Sequence, residues 1–239
     1  MPYVARPYFR WIERPTTTPQ ISILLPGKSL IGASKRDEFE VLEKLSFDNL
    51  NSLKIWEEKI FKDQTDYQVV LDAGGGFLSA KSKASSSGLH KKVKYEITPD
   101  LYLSWDWKAT EFPVKNNPKK LADRTQDDFA ARVYLVFPGM TFFSSNVIEY
   151  IWDESLPEGT VMSSPFSENV KLFVVSSGKP LPDQGGWRHQ ERNLFQDYTA
   201  IFEAKPDRKL QGIALMSDSD NTQTTSQANF KDFEFKIKK

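Results

Sequence analysis

The chain has 239 residues, 32 of them basic and 32 acidic, and no cysteine. The missing cysteine excludes disulfides, thiolate zinc sites and a cysteine nucleophile; the balanced charge lacks the basic excess on which phosphate binding rests, so nucleic acid is not an expected partner. No apolar run approaches the ~20 residues that span a bilayer, and no transmembrane segment is expected.

Residues 1–36 stand apart. They carry Pro2, Pro7, Pro15, Pro19 and Pro26 and the run Thr16, Thr17, Thr18. Proline removes a backbone donor and fixes φ, so this stretch reads as a flexible arm. Tyr8, Phe9 and Trp11 offer the alternative of an aromatic anchor on a partner. The first fifteen residues have no apolar core and are not a signal peptide as they stand. The expectation is either a cytoplasmic chain or one that begins downstream of a removed signal.

From Phe39 onward the pattern is strand-like. Residues 67–71 form a compact strand, Asp72 to Gly76 a turn, and 77–82 the return. The glycine run lacks the G-x-G-x-x-G spacing of a dinucleotide loop. Residues 84–88, ASSSG, read as a serine-rich loop or helix start. Leu101, Leu103, Trp105 and Trp107 alternate with polar residues at a period of two, the clearest strand signal in the chain. Lys119, Lys120 and Arg124 lie close together, but Asp127 and Asp128 follow them, so they form no basic stripe. Further strands are expected over 129–137, 147–152, 170–176, 210–216 and 230–237. Between 188 and 204 the period becomes helical, with Leu194, Tyr198, Ile201 and Phe202 on one face and Pro206 just beyond. The sum is an all-β fold, a jelly roll or β-sandwich, with one principal helix near residues 190–203. A single domain is expected over 37–239.

Three polar groups are candidate sites. Asp128, Arg132 and Tyr134 share one face of an expected strand. They read either as an anion or sugar site or as a structural ion-pair network, because a buried arginine needs a partner. Glu191, Arg192, Asp197 and Tyr198 lie on or beside the expected helix; Asp197 is expected to pair with Arg132 or Arg192. Asp218, Asp220 and Asn221 form an oxygen-rich loop, taken as an Asx turn that caps backbone N–H groups. Calcium is the alternative there, with Asp127 or Asp128 completing the ligands from another strand. No other cofactor is expected. Trp187 follows Gly185 and Gly186 in an expected loop and is the best exposed tryptophan, whereas Trp105 and Trp107 belong to a core face. No G-x-S-x-G elbow, Walker loop or H-E-x-x-H motif is present.

Three blocks carry a resemblance: DDFAARVYLVF at 127–137, WRHQERNLFQDY at 187–198 and IALMSDSDNT at 213–222. With LSAKSKASSSGL at 78–89, LSWDWK at 103–108 and IEYIW at 148–152, they occur in the order found in the bacterial domain of unknown function 3047, which residues 40–239 resemble. The resemblance implies a β-sandwich-like domain exported to the envelope of Gram-negative bacteria. It implies no activity and no catalytic residue. The expected function is a noncatalytic, periplasmic binding domain for carbohydrate or another polar polymer. The alternatives are a polysaccharide-acting enzyme with carboxylates from 127–132 and 191–197, and an assembly subunit. An aromatic-lined groove favours the first, and carboxylates facing across an open cleft favour the second.

Overall fold

The computed structural model describes residues 38–117, 123–139, 144–180 and 185–239, together with the backbone of Ser22–Ile23. The expected arm therefore lies outside the described residues except for β1 (Ser22–Ile23), as do Lys119 and Lys120. Among the described residues, two sheets form a β-sandwich with one α-helix. The strands are β2 (Phe39–Leu45), β3 (Glu57–Lys62), β4 (Asp66–Asp72), β5 (Gly75–Lys83), β6 (Ser86–Tyr95), β7 (Leu101–Glu111), β8 (Ala131–Phe137), β9 (Asn146–Asp153), β10 (Thr160–Ser164), β11 (Ser167–Ser177), β12 (Arg188–Asn193), β13 (Leu210–Met216) and β14 (Thr225–Lys238). Helix α1 (Leu194–Phe202) follows β12 without a break.

One sheet runs β1-β10-β11-β9-β8-β13-β6-β3, and the other β12-β7-β14-β5-β4. β2 joins the far half of β14. Neighbours are antiparallel except β9 and β11. Alternate residues of each strand fill the space between the sheets. Leu101, Leu103, Trp105, Trp107 and Ala109 of β7 face Val133, Leu135 and Phe137 of β8 and Ile148, Tyr150 and Trp152 of β9 in a single core. Trp105 stacks on Phe233 and Tyr150, and the Trp107 indole donates across the core to Ser176 Oγ at 3.1 Å. No helix among the described residues is long and apolar enough to cross a membrane.

Two local expectations need correction. The helix begins at Leu194, because residues 188–193 pair in register with β7 as an edge strand. The Asn193 side chain then accepts the Gln196 N–H at 2.9 Å and starts the helix. Residues 84–88 are not a loop or helix start. Ala84 turns the chain with φ 47°, and Ser86 to Gly88 already run as buried β6.

Candidate functional site

Of the three polar groups named above, the first and third converge on one network and the second lies apart. On β9, Glu149 and Tyr150 point to opposite faces, so the eight-stranded sheet separates two networks. On the outer face lies Arg132, 2% exposed. Its Nε donates to Asp218 Oδ1 at 2.8 Å and its Nη1 to Glu149 Oε1 at 2.6 Å and Tyr134 Oη at 3.2 Å. Its Nη2 donates to the Asp127 carbonyl, with the Asp127 carboxylate 3.7 Å away. Phe129 covers the guanidinium at 4.6 Å from its ring centre and also meets Lys115 Nζ at 3.7 Å. Burial alone would pull Arg132 down, but Asp218, Tyr134, Glu149 and Asp127 hold it well above its ordinary value. One guanidinium cannot neutralise all these carboxylates, so the cost falls on them. Burial pushes Glu149 up to about 7, against the pull of Arg132. Burial also pushes Asp218 well above the carboxylate range; Arg132 opposes this, and Asp128 and Asp220 add to it.

Asp128, fully buried, caps the 221–222 turn from across the fold. Its Oδ1 accepts from Asn221 N at 3.2 Å and Nδ2 at 3.0 Å, and its Oδ2 from Thr222 N at 2.6 Å and Oγ1 at 2.8 Å. The Asx turn expected within Asp218, Asp220 and Asn221 is therefore corrected in origin: the carboxylate that caps it belongs to another segment. The carboxyl groups of Asp128, Asp218 and Asp220 each place an oxygen within 4.8 Å of the others.

On the inner face, Arg192 is bidentate to Asp197, at 2.9 and 2.6 Å, and Tyr150 Oη donates to Asp197 Oδ2 at 2.7 Å. Tyr198 packs edge-on against Phe137 and accepts from Asn146 Nδ2 at 2.8 Å. Glu191 faces outward and accepts from Lys236 Nζ at 2.8 Å. Trp187 is half-buried rather than a free platform; it meets Phe77 edge-on with Lys231 Nζ 4.9 Å from its ring centre. Asp127 and Asp128 thus lie with the network outside the eight-stranded sheet, Asp197 lies inside it and Glu191 faces outward from the other sheet, so these carboxylates do not share a cleft.

An open groove lies elsewhere, at the seam between β3 and β4, which end their respective sheets among the described residues. It holds about 480 Å³ and is lined by Leu53, Trp56, Glu58, Gln64, Thr65, Asp66, Tyr67 and Leu89. Trp56 stacks on Phe47 at 6.0 Å and is 7% exposed, and its indole N–H has no hydrogen-bond partner among the described residues. Ser87 organises the polar wall. Its Oγ donates to Glu58 at 2.8 Å and accepts from Thr65 N at 2.9 Å, while Tyr67 Oη donates to its carbonyl at 2.6 Å. Gln64 Nε2 donates to the second oxygen of Glu58 at 2.9 Å, and Asp66 accepts from Gln68. Sequence reading passed over this site. The signal was the polar run Asp63, Gln64, Thr65, Asp66 between two aromatic-bearing strands, but nothing in the spacing says that these strands end their sheets.

The family described as "Protein of unknown function (DUF3047)" matches residues 54–234. No curated protein sequence matches the chain. Among solved structures, the chain is similar to the mannan-recognising carbohydrate-binding module TmCBM27, at 12% identity over 84% of this chain and 99% of that one, TM-score 0.38. It is also similar to the xyloglucanase domain of NopAA from Sinorhizobium fredii, at 7% identity over 77% and 93%, TM-score 0.41. A third is the K3 cleaved adhesin domain of Lys-gingipain from Porphyromonas gingivalis W83, at 11% identity over 82% and 99%, TM-score 0.38. The likeness lies in the arrangement of strands.

Proposed function

The chain belongs to the DUF3047 family, and we propose that it is a noncatalytic domain that binds carbohydrate, or another polar polymer, in the groove between β3 and β4. The observation that supports this reading is the lining of that groove: the half-buried Tyr67, with the buried Trp56 behind it, beside Glu58, Gln64, Thr65 and Asp66. A sugar ring presents apolar C–H faces and a rim of hydroxyls. Aromatic rings suit the first, and fixed carboxylate, amide and hydroxyl groups suit the second. Glu58 and Asp66 make the groove acidic, which favours a neutral or amino sugar over a uronate polymer. The proposed location is the envelope of a Gram-negative bacterium, on the family resemblance; cell fractionation against a periplasmic marker checks it.

The test is retardation of the full chain in gels containing neutral polysaccharides, mannan and xyloglucan among them, against polygalacturonate. Neutral polymers are expected to retard it and the uronate polymer not to. Gln64→Ala and Asp66→Ala, at exposed positions, are expected to weaken binding about tenfold each, ~1.4 kcal/mol, without moving the melting temperature. Unaltered retardation in both variants, or none by any glycan, would overturn the reading. A second reading rests on Glu58 and Asp66 lining one groove, since paired carboxylates can cleave a glycosidic bond. Release of reducing ends, lost in both Glu58→Gln and Asp66→Asn, would establish it over the first.

A further inference from the structure

We propose that Asp128, Asp218 and Asp220 hold a divalent cation of the calcium class. The three carboxylates come from two segments about ninety residues apart and place oxygens within 4.8 Å of one another. All are buried, at 0%, 1% and 3% exposure. Ionised carboxylates are not gathered out of water without compensating positive charge. Arg132 supplies some, but its Nε reaches only Asp218 Oδ1, which also accepts the Phe129 N–H at 3.0 Å.

A second observation points the same way. Asp218 Oδ2 is buried and has no hydrogen-bond partner among the described residues, in a carboxyl group that stands against Asp128 and Asp220. Once that carboxyl group gives up its proton, the oxygen is open to a cation. Lys62 Nζ donates to the Asp220 carbonyl oxygen at 3.4 Å. Asp128 is already hydrogen-bonded at both oxygens, but one of its donors has somewhere else to go. Thr222 Oγ1 also lies 3.3 Å from the Ser219 carbonyl and 2.8 Å from Thr224 Oγ1. Turning toward either frees a lone pair on Asp128. The donor set is all oxygen, which suits a hard cation; calcium takes about six to eight oxygens, so carbonyls and water complete the shell. Zinc would want nitrogen or sulfur.

The cation would fasten the 127–130 segment to the loop after β13. That loop braces the groove wall, because Thr65 Oγ1 donates to the Ser217 carbonyl at 3.2 Å and Ser82 Oγ meets Ser219 Oγ at 2.6 Å. The inference does not rest on the glycan reading.

The experiment melts chelator-treated, desalted full chain with and without calcium chloride, with sodium chloride at matched ionic strength as the control. Calcium binds only the folded chain, so a hundredfold excess over Kd is expected to raise the melting temperature by on the order of 5–10 °C. The sodium control should give no rise, and neither should Asp220→Asn. If Asp220→Asn fails to fold, the metal content of wild-type protein dialysed against calcium decides: about one calcium per chain supports the site. No calcium-specific rise, no retained calcium, or a rise that persists in folded Asp220→Asn would overturn it.

Discussion

Arg132 shows how a single residue fixes its surroundings. It sits in an otherwise apolar strand and gathers three acidic segments, through Asp127, Glu149 and Asp218, under the ring of Phe129. Such a network contributes little net stability as it stands, yet removing Arg132 strands the anions in a dry site. Arg132→Met is therefore expected to cost about 3–5 kcal/mol, read by urea unfolding with an unchanged m value. Adding Glu149→Gln to that variant should recover part of the loss, since the two residues are coupled. A loss below ~1 kcal/mol would mean that the pairs are weak and water-screened. The sequence made a buried arginine with carboxylate partners legible, because a charge among alternating apolar residues must be answered. It did not say which carboxylates, because Glu149 arrives from β9 and Asp218 from the loop after β13, and no local pattern specifies the neighbours of either strand in the sheet. The same holds for Trp56 and Tyr67, which meet only because β3 and β4 end their respective sheets.

Among the elements, β14 carries the most pairing and the clearest irregularity. Phe230, Phe233 and Phe235 all face the core, yet the first two are three residues apart, where a regular strand allows two or four. A bulge at 231–234 absorbs the extra residue, with Asp232 at φ 54°. Only Gly, Asn or Asp occupies that region at little cost. Asp232→Gly is expected to stay within ~1 kcal/mol of the parent, whereas Asp232→Val should lose about 1–2 kcal/mol, both checked by thermal unfolding. Equal stability of the two would show that the bulge relaxes. The Phe-x-x-Phe-x-Phe spacing made the bulge readable in principle. The helix boundary was readable too. Asn193 followed by Gln196 is a capping pattern, but Arg, Gln and Glu in 188–193 look helical by propensity. Pairing with β7 overrides that propensity, and the strand extends to the cap.

At the scale of the whole molecule, the two sheets share one aromatic interior rather than two separable cores. Trp105 and Trp107 of one sheet meet Tyr150 and Trp152 of the other, and hydrogen bonds tie Trp107 to Ser176 and Trp152 to the Gly178 carbonyl. The connections reinforce this. β14 lies between β7 on one side and β5 and β2 on the other, so the last strand completes a sheet begun near residue 39. β11 inserts between β9 and β10, and β13 between β6 and β8. No cut along the chain leaves a half with its own complete sheet, so neither half can bury its apolar face alone. Residues 38–239 are therefore expected to unfold as one cooperative unit. Tryptophan fluorescence, which reports the core between the sheets, and far-UV circular dichroism, which reports the strands, should give coincident urea transitions. Folding should be slow, since most sheet pairings must first close a long loop. A fluorescence transition that separates from the circular dichroism transition would mean that one sheet survives without the other, and that the interlocked strand order does not enforce cooperativity.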